Sequence, residues 1–135
     1  MALLPASAAA VAATPEALAA AIQAFAGTAP LREGRITITI AELVENGNAV
    51  PLSVAVQSPM SSADHVQSLA VFTERNPQPE VVVVHFSPRS GRAQVDLRIR
   101  LATSQQLVAV ARMNDGSCWR HQVDVIVTLA ACIEG

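Results

Sequence analysis

The sequence contains no lysine. All nine basic residues are arginine, and eleven acidic residues outnumber them, which gives a formal net charge of −2. A slightly acidic chain argues against a nucleic acid or another polyanion as a partner. The chain also lacks a run of about 18 strongly apolar residues, so nothing in it predicts a membrane span.

Patterns that mark common enzyme sites are missing as well. The sequence has no nucleophile elbow, no phosphate-binding loop and no zinc-ligand spacing. Asp64, Asp96 and Asp124 form no recognisable acid–base pair, and His65 and His85 fall near strand ends, where structural or exposed roles are expected. None of these residues therefore predicts a catalytic, metal or cofactor site.

The first residues are rich in alanine. The stretch ALLPASAAAVAA, residues 2–13, has the composition of the end of an export signal whose charged start is missing. The alternative interpretation is a disordered alanine-rich leader. Export predicts an oxidising compartment. The chain then divides into a leader (1–13), one domain (14–129), and a C-terminal arm (130–135).

One short helix is predicted near the start of the domain. Thr14 can cap it and Gly27 can end it. Leu18, Ile22 and Phe25 fall on one helical face, which must pack on something.

From residue 35 onward the apolar residues alternate with polar ones, as in β-strands. Turn residues at 46–48, 88–91 and 114–116 separate these runs. Strands are predicted over 35–40, 50–56, 65–73, 81–86, 92–101, 106–112 and 118–129. About seven short strands, with no internal repeat or linker, indicate a mainly β domain of the immunoglobulin-like sandwich type.

The two cysteines, Cys118 and Cys132, are a candidate disulfide in an exported domain. Both lie on or just beyond one predicted strand, where 14 residues span roughly 46 Å. A disulfide needs Cα atoms within about 7 Å, so only a sharp return of the chain can join them. We therefore expect two unpaired thiols, with Cys118 packed in the sheet.

The surroundings of Cys132 in the sequence are acidic. Glu134 and the carboxylate of Gly135 follow it, and the nearest basic residue is Arg120. Negative neighbours disfavour a thiolate, so this cysteine is a poor catalytic nucleophile. It suits a thiol on which another protein acts.

A second candidate site is the turn at residues 88–92. Arg89 and Arg92, with the turn amides, are candidates for contacting an oxyanion such as sulfate. A solvated turn is the alternative interpretation.

Several stretches together resemble the SoxY family, the sulfur-carrier subunits of the periplasmic thiosulfate-oxidising Sox system. The resemblance covers nearly everything after the leader. It is carried by ELVENGNAVPLSVAV (42–56), SPMSSADHV (58–66), HFSPRSGRAQVDLRIRLA (85–102), MNDGS (113–117) and VIVTLAACIEG (125–135).

This resemblance implies a carrier that holds sulfur intermediates covalently on Cys132 and presents them to partner enzymes. It implies a heterodimer with a SoxZ-like subunit, itself a small β-sandwich. It also implies transient contacts with cytochrome, hydrolase and dehydrogenase components of the system, and export by a twin-arginine signal. Without its partner, the chain is expected to form a Cys132–Cys132 disulfide dimer.

The arm departs from the family pattern, which usually ends in Gly-Gly-Cys-Gly-Gly. Here Cys132 is flanked instead by non-glycine residues, and only the cysteine matches. The arm consists of Ala130, Ala131, Cys132, Ile133, Glu134 and Gly135. Such an arm is stiffer and bulkier than one built from glycine, so the usual partner enzymes or the pathway can differ.

Two other functions remain open at this stage. Cys118 and His121 suggest a cupredoxin-like electron-transfer protein. Their odd spacing, however, puts them on opposite faces of a strand, and no methionine follows His121. The other alternative is an exported β-sandwich binding module for which Cys132 is incidental.

Overall fold

The computed structural model describes residues 14–129; the predicted leader (1–13) and arm (130–135) lie outside them. One α-helix is followed by nine strands, with a short 3₁₀ helix at Pro88–Ser90 between the sixth and the seventh. The elements are α1 (Pro15–Ala26), β1 (Leu31–Glu33), β2 (Ile36–Thr39), β3 (Leu43–Val44), β4 (Val50–Val56), β5 (Val66–Thr73), β6 (Glu80–His85), β7 (Ala93–Ile99), β8 (Gln105–Met113) and β9 (Cys118–Val127).

The strands form two sheets packed face to face. The larger sheet has the order β1-β9-β8-β5-β6, with β3 also paired to β9, and the smaller has the order β2-β4-β7. Buried side chains alternate along β4, as expected for a strand with one face in a core. The predicted immunoglobulin-like sandwich is confirmed.

The strand count is nine rather than about seven. The two strands that the sequence analysis missed, β1 and β3, contain three and two residues. Each pairs in parallel with part of β9. Segments of two or three residues are too short to show an alternation of apolar and polar residues. They form strands because β9, which is distant in sequence, pairs with them.

The main core lies between the two sheets. Side chains such as Val54, Leu69 and Leu107 have no exposed surface. Burying one such side chain contributes about 1.5–3 kcal/mol relative to leaving it in water. This core fixes the position of β9, the strand that precedes the arm.

Helix α1 covers the outer face of the larger sheet. The hydroxyl of Thr14 accepts a hydrogen bond from the Ala17 N–H at 3.0 Å, and Gly27 ends the helix with φ +69°. Leu18 and Phe25 pack on this sheet face, where the rings of Phe25 and Phe72 meet edge to face at 6.1 Å. The predicted helix and its packing face are confirmed.

Candidate functional site

The predicted attachment residue, Cys132, lies outside the described residues, but the structure does define the point from which it extends. This point is the arm root, residues 127–129. The Val127 N–H donates to Ser104 Oγ at 2.8 Å, and the Thr128 N–H donates to the Val44 carbonyl at 2.9 Å. The carbonyl of Leu129 accepts a hydrogen bond from Gly47 N–H at 2.8 Å. The main chain is therefore held by the sandwich as far as Leu129.

The distance between Cys132 and the arm root is limited by covalent geometry. Cys132 is the third residue after Leu129. An extended chain gains at most about 3.6 Å per residue, so the two Cα atoms are no more than roughly 11 Å apart. Wherever Cys132 lies, it therefore stays close to the arm root.

The surface around the arm root is apolar. Leu43, Ile126 and Leu129, which we call the apolar rim, are 57%, 58% and 60% exposed. Leu43 and Ile126 are direct neighbours across the β3–β9 pairing. Large apolar side chains exposed together are characteristic of an interaction surface rather than of an isolated solvent-facing position.

The other thiol, Cys118, is fully buried at the start of β9 under the end of α1. It is a free cysteine, and its Sγ lies 3.8 Å from the Ala26 carbonyl oxygen. Burial raises the pKa of the Cys118 thiol, an effect that the Arg112 guanidinium partly offsets. The prediction of a packed, unpaired Cys118 is confirmed.

The two ends of β9 are too far apart for the cysteines to meet. The strand has ten residues, which span roughly 30 Å. The arm root follows one end, and Cys118 begins the other. Since the Cα atom of Cys132 lies at most roughly 11 Å from that of Leu129, Cys132 cannot reach Cys118.

Alkylation should therefore separate the thiols in the folded protein. We expect iodoacetamide to modify Cys132 rapidly and Cys118 only at the rate at which α1 or the whole domain opens, because a buried thiol of raised pKa supplies little accessible thiolate. Peptide mapping of the label against time measures both rates. Equal rates would contradict the assignment of the two environments.

Arg89 and Arg92 lie at the other end of the sandwich. Both are exposed beside the 3₁₀ helix, whose first turn is capped by Ser87 and Ser90. Arg92 directly precedes Ala93, which pairs with the last residue of β4. The arm root lies at the other end of β4, because Leu129 is hydrogen-bonded to the turn that precedes this strand. The seven residues of β4 span roughly 20 Å. The structure does not bring these arginines near the arm root, and their oxyanion role stays a prediction.

A cluster that the sequence analysis missed surrounds Trp119. The guanidinium carbons of Arg32 and Arg35 lie 5.8 and 5.1 Å from the centre of the indole ring. Gly34 packs against the same ring, where a Cβ would lie 3.3 Å from an indole carbon. Arg35 has φ +65° and pairs with Asp64 at 3.4 Å. No pattern among neighbouring residues in the sequence predicts these contacts, because they depend on the register between β1 and β9.

Residues 14–129 contain no group of three or more His, Cys, Asp or Glu side chains placed to hold a metal ion. Cys118 and His121 both lie in β9, three residues apart, and so project from opposite faces of the sheet. Within the same residues, no helix is both long and apolar enough to span a bilayer.

Comparisons with known proteins agree on one family. The family described as "Sulfur oxidation protein SoxY" matches residues 22–132. The structure of the sulfur carrier protein SoxY from Chlorobium limicola f. thiosulfatophilum is 32% identical in sequence with a TM-score of 0.73, over 86% of this chain and 100% of that one. No curated protein sequence matches.

The fold also occurs in more distant proteins. A superoxide reductase (neelaredoxin) from Ignicoccus hospitalis is 19% identical with a TM-score of 0.62, over 70% of this chain and 80% of that one. A superoxide reductase from Nanoarchaeum equitans is 12% identical with a TM-score of 0.60, over 71% and 100% of the two chains. At such identities the likeness concerns the fold alone. The family match and the SoxY structure together show that the chain belongs to the SoxY family of sulfur oxidation proteins.

Proposed function

We propose that this protein is a periplasmic carrier in thiosulfate oxidation that holds sulfur intermediates covalently on Cys132. Membership of a sulfur-carrier family supports a carrier role. The observation that carries the finer proposal is the position of this cysteine. The family match extends to Cys132, and the sandwich holds the chain up to Leu129, three residues earlier.

The proposed chemistry begins with an oxidative coupling. The Cys132 thiolate and the outer sulfur of thiosulfate form a sulfur–sulfur bond, and two electrons pass to a c-type cytochrome partner. Water then attacks the terminal sulfonate sulfur. This step releases sulfate and two protons, and it leaves a persulfide on the cysteine. A dehydrogenase component removes or oxidises the remaining sulfane sulfur.

In this scheme the chain supplies a tether and a docking surface. Glu42 and Asp124 line the cleft that also includes Ile126, the residue before the arm root. Negative charge disfavours a thiolate, so these groups do not activate Cys132. The catalytic groups therefore come from the partner enzymes. A SoxZ-like subunit completes the carrier as a heterodimer.

Mass spectrometry of protein purified from its own host without reductant tests this proposal. We expect an intact mass above that of the polypeptide, with the added sulfur mapped to the peptide that contains Cys132 and removed by a thiol reductant. Cys118 should be unmodified because it is buried. A homogeneous, unmodified Cys132 in cells grown on thiosulfate would contradict the carrier function.

A further inference from the structure

The end of β9 extends beyond the strand that supports it. The pairing between β8 and β9 ends with Gln105 and Val125, two residues before Val127. The side chain of Ser104 continues the support from this side. Its Oγ accepts a hydrogen bond from the Val127 N–H at 2.8 Å and donates to the Val127 carbonyl at 3.4 Å. One hydroxyl group therefore holds both backbone groups of the first arm-root residue.

The other side of the arm root is held by the turn that follows β3. The Gly47 N–H donates to the Leu129 carbonyl, and the Gly47 carbonyl accepts from the Leu101 N–H, each at 2.8 Å. Leu101 is fully buried, and it belongs to the same loop as Ser104, between β7 and β8. The two loops beside the arm root are thus bonded to each other. We call the bonds that Ser104 and Gly47 make to the arm root the anchor.

Two buried amide side chains hold the loop between β7 and β8 in place. Asn76 and Gln105 are only 7% and 4% exposed. Asn76 donates to the Arg100 carbonyl at 2.8 Å and accepts from the Ala102 N–H at 2.9 Å. Gln105 donates to the Thr103 carbonyl at 3.0 Å and to the Asn76 side-chain oxygen at 2.9 Å. A buried polar network with its partners satisfied favours one geometry, so the hydroxyl at the end of this loop has a defined position.

The anchor determines how far Cys132 can lie from the last supported residue. Cys132 is the third residue after Leu129 but the seventh after Val125, where the pairing with β8 ends. At about 3.6 Å per residue, the limit is roughly 11 Å with the anchor and roughly 25 Å without it. The local concentration of a tethered group falls with about the 3/2 power of the tether length. A tether of seven residues instead of three therefore lowers it roughly three- to fourfold.

We propose that Ser104 is a positioning residue for substrate loading. By holding Val127 it shortens the tether, which keeps Cys132 concentrated at the active site of a docked partner enzyme. Asn76 and Gln105 act through Ser104, because they fix the loop that carries it. The proposal rests on the carrier function proposed above, and it gives a buried amide network far from Cys132 in sequence an effect on the rate of loading.

Ser104→Ala tests the proposal in the complex of this chain with the SoxZ-like subunit of its own host. Loading of Cys132 from thiosulfate by the oxidised cytochrome partner is followed by intact mass in single turnovers at several enzyme concentrations. We expect the loading rate at saturating enzyme to fall by up to about fourfold. The enzyme concentration that gives half of this rate should be unchanged, because the docking surface is intact. Ser104→Thr keeps the hydroxyl and should restore the rate.

Two further variants separate tether length from other effects. Ser58→Ala is the matched control, because Ser58 is also half-buried and its hydroxyl also accepts from one backbone group and donates to another. It follows β4, at the other end of the sandwich from the arm root, and its loss should leave loading unchanged. Insertion of four glycines after Leu129 lengthens the tether to seven residues and leaves the anchor in place. This insertion should slow loading as Ser104→Ala does.

Hydrogen exchange tests the anchor without reference to activity. In Ser104→Ala the Val127 amide should exchange roughly five- to tenfold faster, as expected for the loss of one hydrogen bond. The Gly47 amide reports the bond to the Leu129 carbonyl, and it should exchange faster too. In Ser104→Thr both amides should exchange at the wild-type rate.

Several results would overturn the proposal. One is equal loading and exchange in the wild type and Ser104→Ala. Another is a higher half-saturating enzyme concentration at an unchanged maximal rate, which would assign Ser104 to docking. A loss of rate that the glycine insertion does not reproduce would also refute the effect of tether length. In each case the wild type is loaded and the carrier function stands, whereas a wild-type complex that is never loaded would refute that function and this proposal with it.

Discussion

Replacing Cys132 with serine should abolish covalent loading of the sulfur substrate. A hydroxyl cannot form the sulfur–sulfur bond that the proposed chemistry requires, and the second thiol cannot substitute for it. Cys118 is buried at the far end of β9, roughly 30 Å from the arm root. Fold and partner binding should be unchanged, because serine differs from cysteine only by oxygen in place of sulfur and the substitution lies outside the predicted domain of residues 14–129. Intact-mass analysis after incubation with thiosulfate and the partner enzymes measures the loading.

The matched control is Cys118→Ala, which removes the other sulfur and should keep full loading. Alanine leaves only a small cavity beneath α1, so the domain should stay folded. Loading that persists in Cys132→Ser would refute the covalent carrier function. It would favour the alternative of a binding module for which this thiol is incidental.

The largest effect on stability is expected from Phe72→Ala. Phe72 is fully buried in β5 beneath α1, where its ring contacts that of Phe25. Truncating such a side chain removes its burial and leaves a cavity, which together cost about 3–5 kcal/mol of unfolding free energy. Urea denaturation measures the loss as a lower transition midpoint. A change below about 1 kcal/mol would mean that α1 does not pack here in solution.

The alkylation rate of Cys118 gives a second measure of the effect of Phe72→Ala. It shares the buried cluster under α1 with Phe72, so loosening the helix should speed alkylation of Cys118 but not of Cys132. Phe86→Ala is a suitable control, because Phe86 is half-buried on the core between the sheets. This variant should lose less stability, and its Cys118 should stay slow to react.

The regular helices and strands could be predicted because the order of apolar and polar side chains in the sequence shows which of them are buried. In Val50–Val56 every second residue is buried, and the strand matches its predicted bounds. The helix was predictable from Thr14, Gly27 and the apolar face between them. In each case the determining interactions lie within a few residues along the chain.

The rest depends on contacts between distant segments. β1 and β3 are too short to show a pattern, and both exist only because β9 lies beside them. The same holds for the cluster around Trp119, whose contacts with Arg32 and Arg35 depend on the β1–β9 register. For the candidate site, the sequence predicted Cys132 and its arm. The anchor at Leu129 and the apolar rim could be identified only from the structure.

The position of β9 has a consequence for how the protein is made. This strand pairs with β1, β3 and β8, and directly after it the hydroxyl of Thr128 donates a hydrogen bond to the Val44 carbonyl, 84 positions away in sequence. Contacts so distant in sequence form late and slowly. Until the ribosome has released β9, the nascent chain therefore has one edge of β8 unpaired and the β2 side of the core uncovered. Until then the chain exposes apolar strands that need protection from aggregation, and neither the complete sandwich nor the anchor for the arm forms before β9 is available.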